Sequence, residues 1–100
     1  MALTSKQRKQ LRSMANTLND TLLIGKFNVN NAAVEQTHKL LTDHELIKGK
    51  VLEASELTAR EAADILVDRT GAECVQVIGR KFVLYRESTR KDIKKIELDD

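Results

Sequence analysis

The chain has 100 residues, 41% apolar and 32% charged, with a formal net charge of +2. That length carries one domain able to bury a single core without metal or disulfide. No apolar run approaches membrane-spanning length, the start Met1-Ala2-Leu3-Thr4-Ser5 lacks the apolar region of a signal peptide, and the lone Cys74 excludes an internal disulfide and a cysteine-rich zinc site.

Thr4-Ser5-Lys6-Gln7 reads as a capping box that opens a first helix. Leu11, Met14, Ala15 and Leu18 form one apolar stripe at helical spacing, and Lys6, Arg8, Lys9 and Arg12 fall mostly off it. The helix therefore shows a basic surface. Asn16–Asp20 breaks it, and Thr21–Ile24 reads as a short strand. A turn over Gly25–Val29 follows. Asn30 or Asn31 caps a second helix that runs to about Thr42, with Ala33, Val34, Thr37, Leu40 and Leu41 inward.

Asp43-His44-Glu45 is polar and ends that helix. Leu46–Leu52 reads as a strand with Lys48 and Lys50 on one face and Ile47, Gly49 and Val51 on the other. Gly49 weakens a strand, and a bulge is expected there. Thr58-Ala59-Arg60-Glu61 is a second capping box, and Gly71 suits a left-handed C-cap for the third helix. Cys74–Ile78 and Lys81–Tyr85 read as a hairpin closed by Gly79-Arg80 in a type II′ turn. Residues 90–100 are expected as a short helical end or a loose charged tail. The fold class is α/β: three helices on a small mixed four-stranded sheet, in the order α-β-α-β-α-β-β, with parallel pairs across the helical connections.

Charge is segregated along the chain. Residues 1–19 carry +4, residues 53–73 carry −4 and residues 74–91 carry +4. A basic face of this kind points to a polyanion, whereas a solvated surface is the plainer alternative. The segment Leu22–Asn28 is the sharpest local signal. A strand runs into Gly25 and Lys26 just before a helix N-terminus, which suits close approach of backbone amides and a lysine to phosphate. Phe27 either stacks on a base or plugs the loop from beneath.

Catalysis has little support. Cys74 reads as a core thiol, His38 as a solvated helix residue and His44 as a turn residue, with no ligand spacing between the two histidines. No Walker loop, dinucleotide fingerprint or nucleophile elbow occurs.

Several runs taken together resemble a known family: Leu3-Thr4, Gln10-Leu11-Arg12, Ala15-Asn16, Ile24-Gly25-Lys26, His44 to Lys48, Thr70-Gly71-Ala72, Gln76 to Gly79 and Val83 to Arg86. They are similar, in order and spacing, to the CRM domain (chloroplast RNA splicing and ribosome maturation), and most to its stand-alone bacterial YhbY-type members. The resemblance spans residues 3–88, leaving 89–100 as a charged tail. It implies a fold similar to the C-terminal domain of translation initiation factor three. It also implies binding of structured RNA, with ribosomal RNA of large-subunit precursors as the expected partner. The lack of a catalytic constellation, signal peptide or membrane span leads to the expectation of a non-enzymatic, cytoplasmic protein without cofactor, and a monomer is expected. The family's Gly-x-x-Gly loop is thought to contact RNA, as the analogous KH loop does. Its first glycine corresponds to Gly25, its basic residue to Lys26 and its fourth position, usually glycine, to Asn28. Asparagine best tolerates positive φ among the other residues, so the turn is expected to survive.

The expected RNA-contacting set is therefore Gly25, Lys26, Phe27 and Asn28 in the loop and Lys6, Arg8, Lys9 and Arg12 on the first helix. Lys48, Lys50, Arg80, Lys81 and Arg86 complete it on the strands and hairpin. A different class of function, an adaptor docking a basic protein through the acidic third helix, is the alternative.

Overall fold

The computed structural model describes residues 3–99; Met1 and Ala2, of the start weighed above against a signal peptide, and Asp100, at the end of the expected tail, lie outside the described residues. The element order is α1 Ser5–Ala15, β1 Asp20–Ile24, α2 Asn31–His44, β2 Leu46–Val51, α3 Ala59–Thr70, β3 Glu73–Ile78 and β4 Lys81–Tyr85. This is the α-β-α-β-α-β-β order expected from the sequence. No helix among the described residues is long and apolar enough to cross a membrane.

Local chemistry sets the helix ends. Thr4 and Thr58 each accept from the backbone N–H three residues on, while Gln7 and Glu61 reach back to the cap N–H, so both capping boxes close. Asn30, not Asn31, caps α2, its side chain accepting from Ala33 N–H at 2.9 Å. Gly71 ends α3 at φ +75. Gly79 alone in the two-residue β3–β4 turn has positive φ, as a type II′ turn requires.

The sheet order is β1-β2-β4-β3. β1 and β2 run parallel across the α2 crossover, as expected. β2 and β3, joined by α3, do not pair. β4 folds back between them and is antiparallel to both. The two-residue hairpin brings β4 beside β3 at low entropic cost, and its fully buried Phe82 and Leu84 then take the central position.

The two sheet faces bury separate clusters. Leu22, Ile24, Ile47, Val51, Phe82 and Leu84 pack against α2 and α3, through Val34, Leu41, Ala62 and Leu66 among others. Leu46, Val75, Val83 and Tyr85 pack against Leu11 and Ala15 of α1. Fully buried Leu11 alone is worth about 1.5–3 kcal/mol of apolar transfer.

Two further expectations need correction, and one residue gains a role. Gly49 marks no bulge in its own strand. The register shifts lie between Asp20 and Leu22 of β1 and between Cys74 and Gln76 of β3. Gly49 is there to clear a ring: a Cβ on it would lie 2.4 Å from Phe82 Cζ. Glu45 does end α2, as its C-cap, but it does so from inside the fold. It is fully buried at φ +65, and its carboxylate accepts from Ser88 N–H at 2.6 Å and Ile96 N–H at 2.7 Å.

The second correction is at the end of the chain, where the described residues 90–99 form neither a helical end nor a loose tail. Besides the Glu45 clasp, Gln10 donates to Glu97 C=O at 2.7 Å and accepts from Asp99 N–H at 2.8 Å. Ile96 and Leu98 pack on the α1 cluster. Glu45→Ala is expected to strand the Ser88 and Ile96 N–H groups, each at about 1–3 kcal/mol. Urea unfolding and tail amide exchange measure that loss, and Glu45→Gln, which keeps one of the two acceptor oxygens, should recover part of it.

Candidate nucleic-acid interface

One end of the sheet gathers three connections. β1 and β2 are parallel, so the loop after Ile24 and the loop after Val51 emerge at the same end. Leu52 N–H donates to Ile24 C=O at 2.8 Å, and Val51 N–H donates to Arg80 C=O at 2.8 Å. The Gly25–Asn28 loop, the 52–57 loop and the Gly79-Arg80 turn therefore share one edge.

The first loop is a tight turn in which Asn28 N–H donates to Gly25 C=O at 2.9 Å. Asn28 takes φ +56, the conformation expected of a residue standing where glycine usually does. Its side chain has a second role that the sequence did not reveal. Oδ1 accepts from Ser55 Oγ at 2.6 Å and from Glu56 N–H at 3.1 Å, tying the two loops together. Asn28→Gly relieves the backbone but removes both bonds. It is expected to lower stability by about 1–2 kcal/mol, read by thermal unfolding, and to speed amide exchange at 53–57.

Gly25 has no positive φ, and a Cβ on it would meet only Leu52 Cδ1, at 4.0 Å. The fold itself does not demand glycine at this position. Phe27 is 72% exposed, which decides between its two readings: the ring is outside and is not a plug. Lys26 Nζ lies 5.1 Å from its centroid, a cation–π contact between two outward side chains. Glu53 and Glu56 sit on the neighbouring loop, so this edge carries charges of both signs.

Below that edge, α1 covers part of one sheet face and leaves the rest open. Register aligns Leu23 of β1, Lys50 of β2, Lys81 of β4 and Ile78 of β3 in one transverse row. Leu23 is 54% exposed and Ile78 62%. Lys48 follows on the same face. Asp20 tempers the row by pairing with Lys81 at 3.2 Å, a partly exposed bridge worth about 0–1 kcal/mol. Sequence spacing put Lys48 and Lys50 on one face, but only the β2–β4 register brings Lys81 beside them.

The remaining expected residues divide. Lys6, Lys9 and Arg12 are exposed on α1, whereas Arg8 turns inward and donates to the Cys74 and Val75 carbonyls of β3. Arg80 is exposed at the loop edge. Arg86 is withdrawn from the candidate surface: its guanidinium donates to Thr70 C=O at 2.8 Å, His38 C=O at 3.1 Å and Thr42 Oγ1 at 3.0 Å, joining the ends of α2 and α3. It also lies 2.9 Å from His38 Nδ1, so that exposed ring has a protein partner. Burial pulls the Arg86 pKa down without a compensating carboxylate. Cys74 is half-buried against the main core, and burial pushes its thiol pKa up, away from nucleophilic character. Among the described residues, no group of three His, Cys, Asp or Glu side chains is placed to hold a metal ion.

Comparison with known proteins bears on family and fold. The CRS1 / YhbY (CRM) domain profile matches residues 3–86. The "Probable RNA-binding protein YqeI" of Bacillus subtilis is 41% identical over 96 residues, covering 96% of this chain and 98% of its own. An "RNA-binding protein" of Haemophilus influenzae is 34% identical over 92 residues, covering 92% and 93%. The solution structure of the hypothetical protein SAV1595 from Staphylococcus aureus superposes with a TM-score of 0.79 at 40% identity, covering 98% of this chain and all of that one. A profile match across nearly the whole chain, relatives above 30% identity and a shared fold place this chain in the CRS1/YhbY (CRM) domain family.

Proposed function

We propose that the protein is a non-enzymatic RNA-binding domain that docks on ribosomal RNA of large-subunit precursors in the cytoplasm, as a monomer. The observation that carries this reading is the open row Leu23–Lys50–Lys81–Ile78 lying below the exposed Lys26-Phe27 loop. Lysines contact phosphates, and these contacts dominate affinity and position the nucleic acid without reading its sequence. Phe27 offers a ring for one base, worth about 1–3 kcal/mol. Gly25 fits the same picture, because the fold leaves its Cβ position free and a backbone approaching the loop would use that space. The names of the relatives and the family membership support RNA as the partner.

Ultraviolet crosslinking in cells, mapped on both protein and RNA, tests this reading. The expected crosslinks join Lys26 and Phe27 to large-subunit precursor RNA, and the protein co-sediments with those particles in a salt-sensitive way. Crosslinks confined to other RNAs would overturn the ribosomal assignment. Co-sedimentation that survives loss of Lys26 but not of Asp64 and Asp68 would favour the adaptor reading instead. Both acids are exposed on α3, on the opposite side of the sheet.

A further inference from the structure

The C-terminal segment lies outside the loop-edge surface, yet it is built as carefully as a loop in the core. Buried Glu45 clasps it at Ser88 and at Ile96, and Gln10 of α1 holds its end through Glu97 and Asp99. Arg90 is consumed by two carboxylates, Asp43 of α2 at 2.7 Å and Asp92 of the segment at 2.5 Å. Those bonds hold the Asp43 carboxyl below the usual carboxylate range, with Lys39 adding to the effect. Between the two clasps the chain presents Lys91, Lys94 and Lys95, all exposed and without an ion-pair partner among the described residues.

These lysines line a groove of about 920 Å³ against α1, floored by Met14 and Ile96 and flanked by Gln10. Lys6 and Lys9 are exposed on the same helix and add to the positive field. A restrained loop loses little entropy when its lysines meet phosphates, unlike a free tail.

We infer that this groove is a second RNA-backbone site, with Lys91, Lys94 and Lys95 as its phosphate contacts and Met14 and Ile96 lying under sugar or base. Its place in the fold separates it from the loop edge. Glu45 immediately precedes β2, and the Gly25–Asn28 loop sits at the other end of that strand. Six residues of β2 put the two sites about 17 Å apart or more. One RNA must therefore present backbone at both ends of the sheet, so the protein spans a folded RNA element and does not merely grip one nucleotide step. The inference rests on the RNA-binding reading above.

Fluorescence anisotropy on the full chain tests it, with a labelled structured hairpin RNA and a labelled trinucleotide, across a salt series. The variants are Lys91→Gln/Lys94→Gln/Lys95→Gln, Lys26→Ala, and Arg60→Gln/Arg69→Gln as a control for net charge on the opposite helix. Losing three phosphate contacts should weaken hairpin binding about tenfold or more and flatten the log–log salt slope by about 2. The trinucleotide, too short to reach both sites, should bind the tail variant as it binds the parent, and the α3 control should match the parent on the hairpin. A tail variant that binds the hairpin with parental affinity and slope overturns the second site, and Lys26→Ala weakening the same RNA would leave the first reading standing. A parent that binds neither RNA overturns both. An equal loss in the α3 control reduces the effect to net charge and overturns the groove.

Discussion

Gly49→Val is expected to be among the most destabilising single substitutions in this chain. Gly49 pairs directly with Phe82 in the β2–β4 ladder, and the Phe82 ring lies over its backbone. A Cβ at Gly49 would stand 2.4 Å from Cζ and 2.6 Å from Cε1. The ring has nowhere to go, because Phe82 is fully buried between α2, α3 and the sheet. Overpacking of this kind costs about 1–3 kcal/mol for a methyl group, and the two γ-carbons of valine put it at the top of that range or beyond. For a domain of this size each kcal/mol lowers Tm by about 4–8 °C.

The cause can be separated from a simple loss of strand fit, since valine has high strand propensity. Gly49→Ala combined with Phe82→Leu should cost less than the two single changes added together, with a coupling of about 0.5–3 kcal/mol. Strictly additive costs in a urea double-mutant cycle would show that ring clearance is not what keeps glycine at this position.

Neutralising Lys26, Lys50 and Lys81 together should have the largest effect on binding. If each contacts one phosphate, the slope of log affinity against log salt falls by about 0.7–0.9 per lysine, and affinity near physiological salt drops about tenfold or more. Stability should move by less than about 0.5 kcal/mol, because these side chains are solvent-facing and the Lys81–Asp20 bridge is weak. Filter binding across a salt series, beside a thermal melt, reads both quantities. An unchanged slope would mean that the open half of the sheet is not where RNA lies. Arg86→Ala should behave in the opposite way, because its guanidinium is engaged by groups of α2 and α3: it destabilises without altering the slope.

The legible features share a cause. Thr4 with Gln7, Thr58 with Glu61, Asn30, Gly71 and Gly79 each act within a few residues of their own position, through caps and turns whose chemistry is local. Strand and helix order followed from apolar periodicity for the same reason. Lys26 was legible as an outward residue because a short loop between a strand and a capped helix leaves a charged side chain few other directions, whereas the choice between an exposed and a plugging Phe27 needed its exposure in the fold.

What the sequence concealed depends on partners far along the chain. The role of Asn28 needs Ser55 and Glu56, that of Glu45 needs Ser88 and Ile96, and that of Gly49 needs Phe82. Arg8 and Arg86 were indistinguishable from the other cations until α1 met β3 and β4 met the ends of α2 and α3. By itself the sequence determined the elements, their order, their caps and the presence of two basic stretches, because those are set by residues within one or two turns of each other. Only the tertiary structure decided which cations face outward together. That choice follows from the insertion of β4 between β2 and β3, which sets Lys50 beside Lys81 and leaves Arg86 bonded to groups of α2 and α3.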